Sequence, residues 1–167
     1  MAHNNKSGSA ALSLFDPTSV AIIGASDDPN KVGGRPIHYL RKFGYAGRIL
    51  PINPKRDSVQ GIRCYPDLGA LDVIPQAAII AVSGLAAVEA IKACARLGVA
   101  TAVVMASGFA ETGESGRQLQ NELVDFARLH GMRLIGPNAQ GIANFANGAV
   151  LNFSTMFMEV MPADGQI

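Results

Sequence analysis

Short apolar runs without alternation recur along this chain, each separated from the next by a stretch that carries helical spacing. Val20-Ala21-Ile22-Ile23 is the first run and ends at Gly24. Arg48-Ile49-Leu50-Pro51-Ile52, Ala77 to Val82, Thr101 to Met105 and Arg133-Leu134-Ile135 follow. Runs so short, apolar at successive positions, suit parallel strands covered on both faces. Between them Pro36 suits a first helical position, and Ile37, Leu40 and Phe43 follow before Gly44 stops the helix. Val88, Ile91 and Ala95 give the apolar stripe of a helix from Leu85 to Leu97, with Gly98 as the stop. Leu119, Leu123 and Phe126 do the same from Ser115 to His130, before Gly131. The stretch from Asp57 to Asp72 is irregular and predicts at most a short helix near Asp67 to Leu71.

This alternation predicts an α/β fold. Right-handed crossovers wind it into a Rossmann-like, doubly wound parallel sheet of five strands, expected in the order 3-2-1-4-5. Ligands of such sheets sit outside the carboxyl ends of the strands, where the winding reverses. The segments to read for chemistry are therefore those that follow each strand.

Composition narrows the functions this fold could serve. A length of 167 residues suits one domain. Residues 1–13 are expected to be a disordered leader, 14–150 the folded domain and 151–167 a linker. The formal charge of +1, 6% aromatics and no Trp leave no basic field or stacking platform for nucleic acid. No apolar run reaches the length of a membrane span. Cys64 and Cys94 lack metal-ligand spacing and are too few for a disulfide framework, so two reduced thiols in a cytoplasmic protein are expected.

After the first strand comes Gly24-Ala25-Ser26-Asp27-Asp28-Pro29-Asn30-Lys31-Val32-Gly33-Gly34. Small residues there let backbone N–H groups approach a phosphate, and the next helix N-terminus adds positive potential. The pattern is not G-x-G-x-x-G, and by itself it serves equally as a flexible connection. The second strand ends in Asn53-Pro54-Lys55-Arg56, where a NAD site wants a carboxylate for the ribose 2′-OH. Two cations suit a phosphorylated ribose, and charge alone does not separate NADP from coenzyme A. Ser83-Gly84 is expected to cap the next helix. Ser107-Gly108 leaves room for a ligand chain, while Phe109 either packs on that ligand or closes the core. Glu111 and Glu114 read as structural carboxylates ahead of a helix. Asn138, in Gly136-Pro137-Asn138, either bonds at a site or caps a turn. His3, His38 and His130 fall in a leader, a helix and a helix end. No catalytic residue and no metal ligand is expected.

In order and spacing these residues resemble the CoA-binding domain of NDP-forming acyl-CoA synthetases, related to the succinyl-CoA synthetase α subunit. The matching features begin with Leu14-Phe15-Asp16-Pro17-Thr18-Ser19-Val20-Ala21-Ile22-Ile23-Gly24-Ala25-Ser26 and Lys31-Val32-Gly33-Gly34. Gly47-Arg48-Ile49, Pro51-Ile52-Asn53-Pro54-Lys55, Ser107 through Glu114 and Gly136-Pro137-Asn138 complete them. The likeness covers roughly Leu14 to Asn144.

The resemblance implies that the turn through Gly24, Ala25, Ser26 and Lys31 holds the phosphates of coenzyme A. It gives the nucleotide end to Asn53, Pro54 and Lys55, the pantetheine path to Val82-Ser83 and Ser107-Gly108, and a further contact to Asn138. Two departures stand out: Ala139 where the family often has Cys, and Ser83 where it often has Pro. Full members convert acid, coenzyme A and NTP to acyl-CoA, NDP and phosphate through a phosphohistidine on a later module. The implied partners are coenzyme A or acyl-CoA and the downstream ligase and ATP-grasp modules. Met161-Pro162-Ala163-Asp164-Gly165-Gln166-Ile167 is similar to the lead into that later module, so this chain is expected to bind without catalysing. The remaining alternatives are a free-standing or regulatory CoA-binding domain and an NADP-binding oxidoreductase domain.

Overall fold

Alternate residues of each central strand face opposite sides of the sheet, and the apolar runs serve both sides at once. A computed structural model describes residues 14–159. The expected leader and the segment after Glu159 lie outside the described residues. The elements run β1 (Ser19–Ile23), α1 (Arg35–Lys42), β2 (Arg48–Ile52), a hairpin of β3 (Ser58–Val59) and β4 (Ile62–Arg63), and a 3-10 turn at Leu68–Ala70. Then come β5 (Ala77–Ile80), α2 (Leu85–Leu97), β6 (Thr101–Val104), a 3-10 turn at Ala110–Thr112, α3 (Glu114–Leu129) and β7 (Arg133–Ile135). A second hairpin, β8 (Gly141–Asn144) and β9 (Ala149–Asn152), precedes α4 (Met156–Glu159).

The five expected strands form one parallel sheet. Its order corrects the expectation: β2-β1-β5-β6-β7 is 2-1-3-4-5 in terms of the five runs, not 3-2-1-4-5. Pro51 explains why. Its carbonyl accepts from Tyr65 N at 2.9 Å on the outer side of β2, and the same side carries its ring nitrogen, which has no proton to give. A strand with a proline facing a prospective neighbour belongs at an edge. The edge is instead closed by a short parallel bridge between Ile52 and Tyr65, with Asn53 N donating to Tyr65 O at 2.9 Å.

On one face Ala21, Leu50, Ala78, Ile80, Ala102 and Val104 pack with Ala87, Ile91 and Cys94 of α2 and with Leu123 and Ala127 of α3. On the other, Val20, Ile22, Ile79 and Val103 pack with Ile37 and Leu40 of α1 and with Ala149 and Leu151 of β9. The β8–β9 hairpin thus covers ground that a helix often covers in such folds. Arg35 fastens it: buried, the guanidinium donates from Nη1 to Phe153 O and from Nη2 to Asn30 O, each at 2.6 Å. One side chain therefore ties the loop after β1 to the segment after β9.

Candidate functional site

The loop after β1 folds back on itself because glycine meets glycine. Gly24 has φ +88, and a Cβ on it would come within 2.7 Å of Val82 Cγ1. A Cβ on Gly33 would collide with the Gly24 carbonyl oxygen, and one on Gly34 with the Asp28 carbonyl oxygen. A G-x-G-x-x-G turn uses its third glycine for close approach of helix and strand. Here Gly33 serves that purpose from a longer loop, a substitution that the short motif conceals. The loop hangs from β2, since Gly24 N and Ala25 N both donate to Ile52 O, at 3.0 and 3.2 Å.

Those bonds change what the loop can offer an anion. The N–H groups of Gly24, Ala25 and Ser26 are donated to carbonyls within the fold, the last to Gly33 O at 3.3 Å. Asp28 N is donated to Ser26 Oγ, and Asn30 N to Asp28 Oδ1. Positive potential therefore comes chiefly from side chains. A cavity of about 450 Å³ is walled by Gly24, Ala25, Ser26, Lys31, Asn53, Lys55 and Arg56, together with Asp27 and Asp28. Arg56 Nη1 stands 3.4 Å from Asp27 Oδ2, with both side chains about half exposed, so a stronger anion can compete for the guanidinium at little cost.

The Asn53 amide is engaged on both sides within the fold. Its Nδ2 donates to Ala25 O at 2.8 Å, and its Oδ1 accepts from Lys55 N at 2.9 Å. The amide thus joins the first loop to the end of β2 and turns Lys55 into the cavity. A second cavity of about 910 Å³ adjoins the first, sharing Gly24, Asn53 and Lys55. Its walls are mostly apolar, from Ile23, Ile52, Pro54, Leu68, Val82 and Ala90, with Glu89 on α2 as an acidic group at its side.

Of the residues expected at the site, Gly24, Ala25, Ser26, Lys31, Asn53, Pro54, Lys55 and Val82 line these two cavities. Ser83, Ser107, Gly108 and Asn138 do not line them but follow β5, β6 and β7 on the same carboxyl edge. Ser83 does not cap α2: Gly84 holds the N-cap position at φ +61, with no side-chain cap bond, because a left-handed glycine turns the strand straight into the helix. Phe109 closes the core beside Leu123 and Ala127. The Glu111 carboxylate accepts from Gly108 N at 2.7 Å and Phe109 N at 3.2 Å. Those N–H groups, chiefly that of Gly108, hold it below the ordinary glutamate range. Asn138, at φ +54, donates its N–H to Ala106 O at 2.9 Å and so braces the end of β7 against the end of β6.

Gln60, Asp67 and Leu68 of the irregular crossover, and Glu89 on α2, were not among the residues expected at the site. Only Pro66-Asp67-Leu68-Gly69, with a side-chain acceptor ahead of a short turn, carried a legible signal; Asp67 Oδ1 indeed accepts from Ala70 N. Among the described residues no group of three or more His, Cys, Asp or Glu is placed to hold a metal. Nor is any helix there long and apolar enough to cross a membrane. His38 lies on α1, and His130 ends α3 with Nδ1 2.8 Å from Phe126 O, stacked on that ring.

Comparison with known proteins agrees with this geometry. The chain is 38% identical over 141 residues to acetate–CoA ligase [ADP-forming] II of Archaeoglobus fulgidus, which covers 84% of the chain and 21% of that protein. It is 37% identical over 131 residues to the alpha subunit of acetate–CoA ligase [ADP-forming] II of Pyrococcus furiosus, covering 78% of the chain and 28% of the subunit. Among solved structures, the dinucleotide forming acetyl-coenzyme A synthetase 1 of Ca. Korarchaeum cryptofilum, in complex with phosphate and ADP, superposes with a TM-score of 0.80 at 36% identity. That superposition covers 85% of this chain and 30% of the synthetase. The chain thus spans between a fifth and a third of the length of these relatives. The profile of the CoA binding domain matches residues 18–144, from the start of the first strand through the β8 strand, and the chain belongs to that family.

Proposed function

We propose that this chain binds coenzyme A along the carboxyl edge of its sheet and presents the thiol to another module of a longer NDP-forming acyl-CoA synthetase. The observation that carries the reading is the end of β2. Where a NAD site needs a free carboxylate, the Asn53 amide is engaged on both sides, and Lys55 and Arg56 follow it at the polar cavity. That cavity suits phosphate groups on a ribose, and the adjoining apolar one suits a flat base. From there Val82-Ser83, Ser107-Gly108 and Asn138 continue in strand order β5, β6, β7. Four inter-strand spacings, roughly 19 Å, give an extended pantetheine arm room to lie along the edge.

In this reading the chain's own residues bind and orient, and none is catalytic. Coenzyme A supplies the acyl-accepting thiol. The conversion of acid, coenzyme A and NTP to acyl-CoA, NDP and phosphate belongs to the longer enzyme, with its ligase and ATP-grasp modules as partners. The binding unit is residues 14–150 completed by the rest of β9, Leu151 and Asn152, with 1–13 as leader and the chain after Asn152 leading to the next module. The free, buried thiols of Cys64 and Cys94 suit a cytoplasmic home. Calorimetric titration with CoA, dephospho-CoA, NAD and NADP tests the reading. CoA is expected to bind far more tightly than either dinucleotide, and tighter binding of NADP would make the chain an oxidoreductase-type domain instead.

A further inference from the structure

The β3–β4 hairpin turns on Gln60 and Gly61, with φ +50 and +76. Two left-handed residues in a row make the tight turn that hairpins favour, and its first place is normally given to Asn, Asp or Gly. Glutamine is an unusual choice there, strained where glycine would be relaxed. Its hydrogen bonds supply a reason. Nε2 donates to Gly34 O at 2.8 Å and to Ser26 O at 3.1 Å, across the mouth of the glycine loop. Gln60 N donates to Asp27 Oδ1 at 2.8 Å, and Gln60 O accepts from Arg41 Nη1 at 2.7 Å. Both Nε2 partners are carbonyl oxygens, so only the NH₂ end of the amide fits.

We propose that Gln60 is the positioning residue of the ligand loop: its amide clamps Ser26 and Gly34 together and so sets the opening between Lys31 and the end of β2. The inference rests on the coenzyme A reading of that pocket. Ser26 and Gly34 are the two ends of the bend that carries Asp27, Asp28 and Lys31. Without the clamp the loop keeps its backbone bonds at Gly24 and Ala25 and the Ser26 N–Gly33 O bond, but loses the side-chain tie between the Ser26 and Gly34 carbonyls. Preorganisation of this kind raises affinity by removing the ordering that binding would otherwise have to impose.

Gln60→Gly separates positioning from stability, because glycine relaxes the positive φ while deleting the amide. The expected result is a Tm equal to or above wild type together with CoA affinity lower on the order of tenfold. Hydrogen exchange at Ser26 and Gly34 should quicken in the ligand-free variant, with β1, β5 and β6 unchanged. Gln60→Glu keeps the reach but sets an acceptor against two carbonyls, so it should bind CoA more weakly than Gln60→Gly. Wild-type affinity in both variants overturns the positioning role and leaves the coenzyme A reading intact. A wild-type chain that does not bind CoA overturns the coenzyme A reading, and this role with it, before any variant is compared.

Discussion

Gly33→Ala is the substitution that most directly probes how the pocket is made. Gly33 has no positive φ, so alanine fits its backbone, and the obstacle is space alone. The new Cβ would overlap the Gly24 carbonyl oxygen and lie 2.9 Å from the Gly24 carbonyl carbon. Neither atom can step aside cheaply. Gly24 directly follows β1, its N–H is bonded to Ile52 O, and behind it stand Val82 Cγ1 and the Ala81 carbonyl. Backbone must shift, not a rotamer, so the upper part of the usual overpacking range applies, about 2–3 kcal/mol. Against a total stability on the order of 5–15 kcal/mol the domain still folds. At roughly 2–4 °C per kcal/mol for a chain of this size, Tm should fall by about 4–12 °C.

The displaced loop carries Lys31 away from Lys55, so CoA affinity should fall on the order of tenfold or more. Gly44→Ala is the control. Its φ of +74 imposes strain of about 1–2 kcal/mol, yet a Cβ there meets nothing within 4 Å. That variant should lose some Tm and no affinity. Scanning calorimetry and isothermal titration read both quantities. A Gly33→Ala protein with wild-type Tm and wild-type affinity would refute the argument, because the Gly24–Gly33 approach would then shape nothing.

Lys55→Ala should weaken CoA about tenfold, the effect of roughly 1.4 kcal/mol from one charge-assisted phosphate contact, and should weaken dephospho-CoA less. An equal loss for both ligands would move the contact to the pyrophosphate, and no loss for either would remove Lys55 from the site. The lowered pKa of Glu111 means that its stabilising contribution is present above the ordinary glutamate value, about 4.3, and is lost as pH falls below that value through the folded one. The Tm gap between wild type and Glu111→Gln should therefore be visible at pH 7 and close on acidification; a pH-independent gap would contradict the carboxylate's role. Burial pushes the Cys94 thiol up to about 12 and raises that of Cys64, so at pH 8 native protein should give no fast reaction with a disulfide reagent and release both thiols on unfolding. A thiol titrated within the mixing time would show that one of the two lies open.

The parts of the fold that could be read from sequence are those whose signal is local. Continuous apolar runs marked all five central strands, and glycine stops after Phe43, Leu97 and His130 marked the helix ends within a residue or two. The hairpins went unread because β3 and β4 are two residues each and their pairing depends on the Gln60-Gly61 turn, where glutamine stands in for the expected small residue. β9 went unread because Ala149-Val150-Leu151 resembles any short apolar stretch until α1 is there to cover it. At the cavities, the place of Lys55 on their walls followed from its position just past the end of β2. Asn53 lines both cavities as its place at the end of β2 suggests, but that its amide also braces the first loop could not be read, since nothing in a sequence says whether an amide has already found its partners.

Strand order shows how one local signal can govern a whole site. In the order 3-2-1-4-5, β1 would lie between the second and fourth runs, and Ser107 would be the neighbour of Gly24. The observed order puts the third run beside β1, pairing Ile23 with Ile80, so Val82 presses on Gly24 and joins the cavity while Ser107 and Gly108 move one strand away. The same exchange sets the order of the segments along the carboxyl edge: the loop and Lys55 first, then Val82, then Ser107, then Asn138. The decisive residue is Pro51, which has no N–H for an outer neighbour and confines β2 to the edge. Once β2 is an edge strand, the third run can reach the sheet only on the far side of β1, and the winding reverses there, over Gly24 and Val82.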